Sequence, residues 1–465
     1  MMTPLRDLDF QAVVLAAGKG TRMKSSRVKV LHEVLGVPMI GHTIRAARAA
    51  GSSRIALVLG HDRERVRQWF EEHDDVRDLR IAVQREQLGT GHAVWVAREA
   101  LGGGAPYTLI LYGDVPNLSA ASISAFVEAA VDSGMPLAVM SAVVEAPGAY
   151  GRMVRGASGA LERIVEFKDA SEAERAITEI NAGFYVARTD FLLGELDVLM
   201  AAGADNAQGE YYLTDLVRRA AEQGGALGWL IEDVREIQGV NTRADLAQAT
   251  AYATQRINAY WMAQGVTMID PARVHIEATV TLEPDVVLYP DVYLHGATHL
   301  CEGAVIEHGC TLRDTHIGRG TRLLAGCYCD QAKVAERTNI GPYAHLRPGA
   351  DIGSECKVGN FVEVKKSRLD DGVKAGHLTY LGDAHIGAGA NIGAGTITCN
   401  YDGKHKHRTT IGPGVFIGSN SSLVAPVTVG EGAYVGAGST ITEDVPRKAL
   451  GVGRGRQRNV EGWAE

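Results

Sequence analysis

Ile411-Gly-Pro-Gly-Val-Phe-Ile417-Gly-Ser-Asn-Ser-Ser-Leu423-Val-Ala-Pro-Val-Thr-Val429-Gly-Glu-Gly-Ala-Tyr-Val435-Gly-Ala-Gly-Ser-Thr-Ile441 carries an aliphatic residue at every sixth position. Ile340, Leu346, Ile352, Val358 and Val364 repeat the spacing upstream. A helix returns to one face every 3.6 residues and a strand every two, so neither produces a period of six. A solenoid of short strands does, with each sixth residue pointing into a continuous core. Many of these aliphatics are followed at once by glycine, as in Ile411-Gly412 and Val435-Gly436, which reads as the residue making the corner.

The pattern resembles the left-handed parallel β-helix of the hexapeptide-repeat acyltransferases. The period fails in two places. The register slips between Val364 and Ile386, and Cys399 to Thr410 is an insert. A solenoid carries insertions only by looping them outward, often beside its binding face, so function is expected near both interruptions.

Upstream of residue 265 the composition changes. Of the 55 glycines, 25 fall in the first 264 residues and 30 in the remaining 201, and four of the five tryptophans precede the same point. Short apolar runs, Gln11–Leu15, Arg54–Leu59 and Tyr107–Leu111, alternate with helical stretches such as Ile40–Ala50 and Ser119–Val131. That is the pattern of a doubly wound α/β (Rossmann-like) sheet, whose ligands lie at the carboxyl ends of its strands. A linker helix over 244–264 is expected to join a front domain, 1–243, to the β-helix, 265–465. Thr242 caps it with Asp245 three residues on, and Leu246, Ala253, Ile257 and Trp261 lie near one face.

The totals narrow the function. The net charge of −8 gives no general attraction to nucleic acid or to acidic membrane surfaces. No stretch approaches the roughly 20 apolar residues of a membrane span, and the N-terminus lacks a secretory signal, so a cytoplasmic location is expected. All six cysteines lie between Cys301 and Cys399 and read as small buried residues rather than disulfides or a zinc site.

The first apolar run leads into Leu15-Ala-Ala-Gly-Lys-Gly-Thr-Arg-Met23, a loop whose backbone can approach phosphates while Lys19 and Arg22 neutralise their charge. With Lys29-Val-Leu-His32, Gln87-Leu-Gly-Thr-Gly-His92 and Tyr112-Gly-Asp-Val-Pro116 it resembles the sugar nucleotidyltransferases. An aspartate at a strand end, Asp114, suits Mg²⁺. Gly359-Asn-Phe-Val-Glu-Val-Lys-Lys366, Lys374-Ala-Gly-His-Leu-Thr-Tyr-Leu-Gly-Asp383 and Asn391-Ile-Gly-Ala-Gly-Thr-Ile-Thr-Cys-Asn-Tyr-Asp402 make the likeness specific. From about residue 11 to 463 the chain resembles the family of bifunctional N-acetylglucosamine-1-phosphate uridylyltransferases / glucosamine-1-phosphate N-acetyltransferases.

That resemblance implies an enzyme using UTP, acetyl-CoA and Mg²⁺ and supplying cell-wall and lipopolysaccharide precursors as a homotrimer. Leu15, Ala16, Ala17, Gly18, Gln84, Gly89 and Thr90 would hold the nucleotide, with Tyr112 and Gly113 beside them. Lys29 and the catalytic Arg22 would contact phosphates, and Asp114 and Asn241 would bind Mg²⁺. Gly151, Glu166 and Asn181 would bind the N-acetylglucosamine. In the back half His377 would be the base, since a protonated amine cannot attack a thioester. Arg347, Lys365, Tyr380 and Asn391 would bind the sugar phosphate. Ala394, Asn400, Tyr401, Ser419, Ala437 and Arg454 would line the acetyl-CoA site.

The chain departs from the family's pattern at two points. Val28 precedes Lys29 where proline is usual, and Gly453-Arg-Gly-Arg-Gln457 replaces a proline-containing stretch, so Arg456 competes with Arg454. The alternative is a monofunctional sugar-1-phosphate nucleotidyltransferase with a structural β-helix. His377, Lys365 and the Asn400-Tyr401 insert argue against it.

Overall fold

The computed structural model describes residues 8–18, 20–60, 62–73, 79–102, 104–204, 206 and 208–464, so Lys19 lies outside the described residues. The chain parts into two compact units, Met1–Ala253 and Thr254–Glu465.

In the first unit seven strands form one sheet: β1 (Phe10–Ala16), β2 (Ile55–Leu59), β3 (Leu79–Val83), β4 (Tyr107–Tyr112), β5 (Leu137–Val143), β6 (Glu179–Arg188) and β7 (Ala226–Leu230). Their order is β7-β5-β6-β4-β1-β2-β3, with β6 alone running against its neighbours. An antiparallel ribbon, Arg152–Arg155 with Leu161–Val165, extends from β6. Along β1, Ala12 and Val14 enter the core on one face of the sheet while Val13 and Leu15 enter the core on the other. Both faces are covered, which explains why the run is apolar without alternation. The chain reverses direction across the sheet between β1 and β4, whose ends are level, with Leu15 opposite Tyr112. In a doubly wound sheet that reversal opens the ligand crevice.

The second unit is a left-handed parallel β-helix of three sheets with 11, 10 and 9 short strands. One core runs through it from Val266 to Val445. The glycines that follow the aliphatics do not make its corners. A Cβ on Gly412 would lie 2.6 Å from the backbone nitrogen of Glu431, and one on Gly418 2.5 Å from that of Ala437. These residues are glycine because the next coil passes directly over them. The left-handed corner conformation comes two residues later, at Gly414 (φ 63°) and Asn420 (φ 55°). Several corners use a non-glycine there, among them Tyr343, Phe361 and Leu378.

The register slip also differs from expectation. A corner one residue shorter recurs at Asp314, Gln331, Lys366 and Asp383, each with positive φ, and gives coils of 17 rather than 18 residues. Only the corner shortens, so the strands stay paired and the aliphatics still point inward. The insert does loop outward, between Ile397–Cys399 and Thr409–Ile411, and carries a bridge between Tyr401 and Lys406.

The helix Arg243–Ala263 spans the division between the units, one residue from the expected 244–264. The Asp245 amide donates to Thr242 Oγ1 at 3.2 Å, and the Thr242 amide donates back to Asp245 Oδ2 at 2.9 Å, a reciprocal cap. Leu246 and Ala253 pack in the first unit, and Ile257 and Trp261 pack on the β-helix core. Among the described residues no helix is long and apolar enough to cross a membrane.

Candidate functional site

At the crevice between β1 and β4 the first unit holds two adjoining cavities of about 330 and 300 Å³. The first is lined by Leu15, Ala16, Ala17, Gly18, Lys29, Gln84, Gly89 and Thr90, all expected at the nucleotide. The second is lined by Gly151, Glu166 and Asn181, all expected at the sugar. Thr90, Tyr112 and Asp114 line both, so the two lobes meet at the β4 end.

Local chemistry holds the lobes open. Gly89 takes φ 103° beneath Tyr211, where a Cβ would lie 2.6 Å from the Tyr211 carbonyl. Buried Gln84 donates to the Gly89 carbonyl at 3.1 Å. In the other lobe the Asn181 amide nitrogen donates to the Tyr185 hydroxyl at 2.8 Å, and its oxygen accepts from the Gly183 amide at 2.8 Å. Glu166 accepts from Thr214 at 3.3 Å, and burial pushes its carboxyl above the ordinary value.

The lobes join at a charged centre. Lys29 Nζ donates to Asp114 Oδ2 at 2.5 Å and to Asn241 Oδ1 at 2.8 Å, while Arg22 Nη2 donates to the same Asn241 oxygen at 2.9 Å. Two oxygens from residues 127 positions apart thus converge on one cation, and a carboxylate with an amide oxygen is a donor set that suits Mg²⁺. Val28, in place of the usual proline, sits at φ −57°, within the range a proline ring imposes, so the approach to Lys29 keeps its course.

On the β-helix, successive coils stack the other expected residues into columns. Lys357, Lys374, Asn391, Phe416 and Tyr434 pair in turn. Three positions on from each, Asn360, His377, Ala394, Ser419 and Ala437 therefore form one edge. His377 Nδ1 lies 2.7 Å from Asn360 Oδ1. An amide oxygen only accepts, so Nδ1 donates, and in the neutral ring the lone pair lies on Nε2. Asn360 was not singled out in the sequence, although its spacing of 17 from His377 is one coil.

Tyr380 lies on the adjoining face, between that edge and Lys365, which pairs with Gly382 at the far end. Lys365 stands beside Lys406 of the insert, whose side-chain contact, together with its charge, holds the Lys365 ammonium below the ordinary value. Arg347 pairs with Glu363 at 2.6 Å. Asn391 sits on the preceding face, opposite Lys374. The expected acetyl-CoA residues divide. Ala394, Ser419 and Ala437 share the His377 edge, whereas Asn400, bonded to Asp383 at 2.5 Å, and Tyr401 stand on the insert at the other edge. Arg454 and Arg456 are both exposed.

Of the six cysteines, Cys310, Cys327, Cys329 and Cys356 are buried as expected, but Cys301 and Cys399 are partly exposed, and all six are free.

Comparison with known proteins follows the same division. A MobA-like NTP transferase domain matches residues 12–182, and the bacterial transferase hexapeptide (six repeats) matches residues 408–443. The bifunctional protein GlmU of Trichlorobacter lovleyi is 48% identical over 453 residues, covering 97% of both chains. The bifunctional protein GlmU of Geotalea uraniireducens is 47% identical over 98% of both chains. The protein of the same name from an Anaeromyxobacter species is 49% identical, covering 97% of this chain and 92% of that one.

Proposed function

The chain belongs to the bifunctional GlmU family, and from that premise we propose how its residues divide the work. The enzyme acetylates glucosamine-1-phosphate from acetyl-CoA and transfers UMP from UTP to N-acetylglucosamine-1-phosphate, releasing pyrophosphate. The stretch 1–243, within the first unit, is the uridylyltransferase and 265–465, within the second, the acetyltransferase.

The observation that carries the uridylyl site is the charged centre where the two lobes meet. UTP occupies the lobe of Gly18, Gln84, Gly89 and Thr90, and the sugar occupies that of Gly151, Glu166 and Asn181. The α-phosphorus would then lie at their junction, where Asp114 lines both lobes. Asp114 and Asn241 would hold Mg²⁺, which when bound neutralises triphosphate charge. Lys29 and Arg22 present positive charge to the phosphates. The attacking phosphate oxygen is already ionised, so no side chain need remove a proton, and positioning with charge neutralisation supplies the catalysis.

In the acetyl site His377 Nε2 takes the proton from the sugar 2-amine as nitrogen attacks the thioester carbonyl, and returns it to sulfur as the C–S bond breaks, so that coenzyme A leaves as the thiol. Asn360 holds the tautomer that makes Nε2 the base. Arg347 and Lys365 bind the phosphate dianion, which relieves the repulsion between Lys365 and Lys406. The acetyl-CoA residues stand on two edges of the coil, and a homotrimer in which the edge of one subunit faces the insert of the next would reunite them.

A coupled assay tests the reading. Purified protein with glucosamine-1-phosphate, acetyl-CoA, UTP and Mg²⁺ should release both free thiol and pyrophosphate. Pyrophosphate only from supplied N-acetylglucosamine-1-phosphate, with no thiol, would refute the acetyl site.

A further inference from the structure

On the face of the β-helix formed by the strands Thr281–Leu282, His299–Leu300 and His316–Ile317, two consecutive coils bring His299, Cys301 and His316 together. One ligand atom from each lies within 4.8 Å of the others, the one such group of His, Cys, Asp or Glu among the described residues. Glu283, one coil before Cys301, stands beside His299 but outside that group, with Oε1 3.3 Å from His299 Nε2. Cys301 Sγ lies 3.8 Å from His316 Nε2.

The Cys301–His316 separation is close to one edge of a tetrahedron around zinc. Bonds of about 2.3 Å to sulfur and about 2.0–2.1 Å to nitrogen place sulfur and nitrogen about 3.6 Å apart. Supporting contacts are also in place. His299 Nδ1 is 2.7 Å from the Thr281 hydroxyl, which leaves Nε2 toward the cluster. Glu283 Oε2 accepts from the Glu302 amide at 2.8 Å, which leaves Oε1 toward His299. Such partners orient first ligands at metal sites. His299 and Cys301 are only partly buried and His316 is exposed, so an ion has a path in. Neither active site uses any of these residues.

We propose that His299, Cys301 and His316 form a three-ligand site for a borderline-soft divalent cation of the zinc class, its fourth position open to solvent, pinning two coils together near the start of the β-helix. Imidazole and thiolate favour such ions over Mg²⁺, so the site is chemically distinct from the oxygen pair of Asp114 and Asn241.

Cobalt(II) is the probe. Full-length protein stripped by chelator and titrated with Co²⁺ should bind one ion per chain with a thiolate-to-cobalt charge-transfer band and intense tetrahedral d–d bands, both displaced by Zn²⁺. Cys301→Ser should abolish the charge-transfer band with the circular dichroism and both activities unchanged. His316→Ala should weaken binding by more than ~100-fold. Zn²⁺ should raise the melting temperature of the natural chain but not of Cys301→Ser. No charge-transfer band, or one that survives Cys301→Ser, overturns the proposal.

Discussion

The two halves build their sites in opposite ways. In the sheet, Lys29 meets Asp114 across 85 residues and Asn241 across 212. In the β-helix, His377 meets Asn360 across 17, one coil. The sheet gathers strand ends that only the whole unit brings together, whereas the coil repeats one short unit and places side chains by stacking. A change in the sheet site should therefore remove a function and leave the scaffold, while a change in the coil can do either, depending on whether it alters a side chain or the stacking.

The largest effects test whether the halves act independently. Asp114→Ala should cut pyrophosphate release by about 10³-fold and leave thiol release intact. His377→Ala should do the converse, by about 10²- to 10⁴-fold. Loss of both activities in either variant, with the fold intact, would break the comparison.

Next in size is a test of stacking. A Cβ on Gly359 would fall on the carbonyl of Gly376 in the next coil, whereas one on Gly376 has nothing within 4 Å. Gly359→Ala should destabilise the β-helix by about 3 kcal/mol, and Gly376→Ala should leave its melting temperature nearly unchanged. Equal effects would mean that coil spacing does not depend on that glycine.

A smaller effect belongs to the positioning of the base. Asn360→Ala should lower kcat of acetylation by about 10- to 100-fold with little change in KM. Asn360→Asp keeps an acceptor for Nδ1 and should recover most of the rate. A KM effect alone would assign Asn360 to binding instead.

The smallest concerns Glu166. Burial raises its carboxyl above the ordinary 4.5, so the folded unit holds the proton more tightly than the unfolded chain. Its contribution to stability is complete below about pH 4.5 and is lost as pH rises through the folded value. Glu166→Gln should flatten the pH dependence of thermal stability above that point, and an unchanged profile would show that the carboxylate is well solvated.

Much of this was legible in the residues. The aliphatics from Ile411 to Ile441 carry the coil, Gln11–Leu15 carries the central strand, and the motif residues around Gly18, Gly89 and Asp114 line the crevice. Other features were not. Gly412 and Gly418 looked like corner residues, because a glycine needed for close approach and one needed for positive φ read alike. Phe361 and Leu378, which do turn the corner, carry no turn signal. Cys301 looked like a core residue, since the histidine that meets it comes from the following coil.

Sequence alone determined the periods, and with them the two architectures, because side-chain direction and hydrophobic burial act on neighbours a few residues apart. It also named most of the groups that line the crevice. Tertiary structure decided which of them meet: the Lys29, Asp114 and Asn241 centre, the His377 tautomer, and the division between two edges of the residues proposed for acetyl-CoA. Those depend on strand order, coil length and the register between distant segments, which no local pattern encodes.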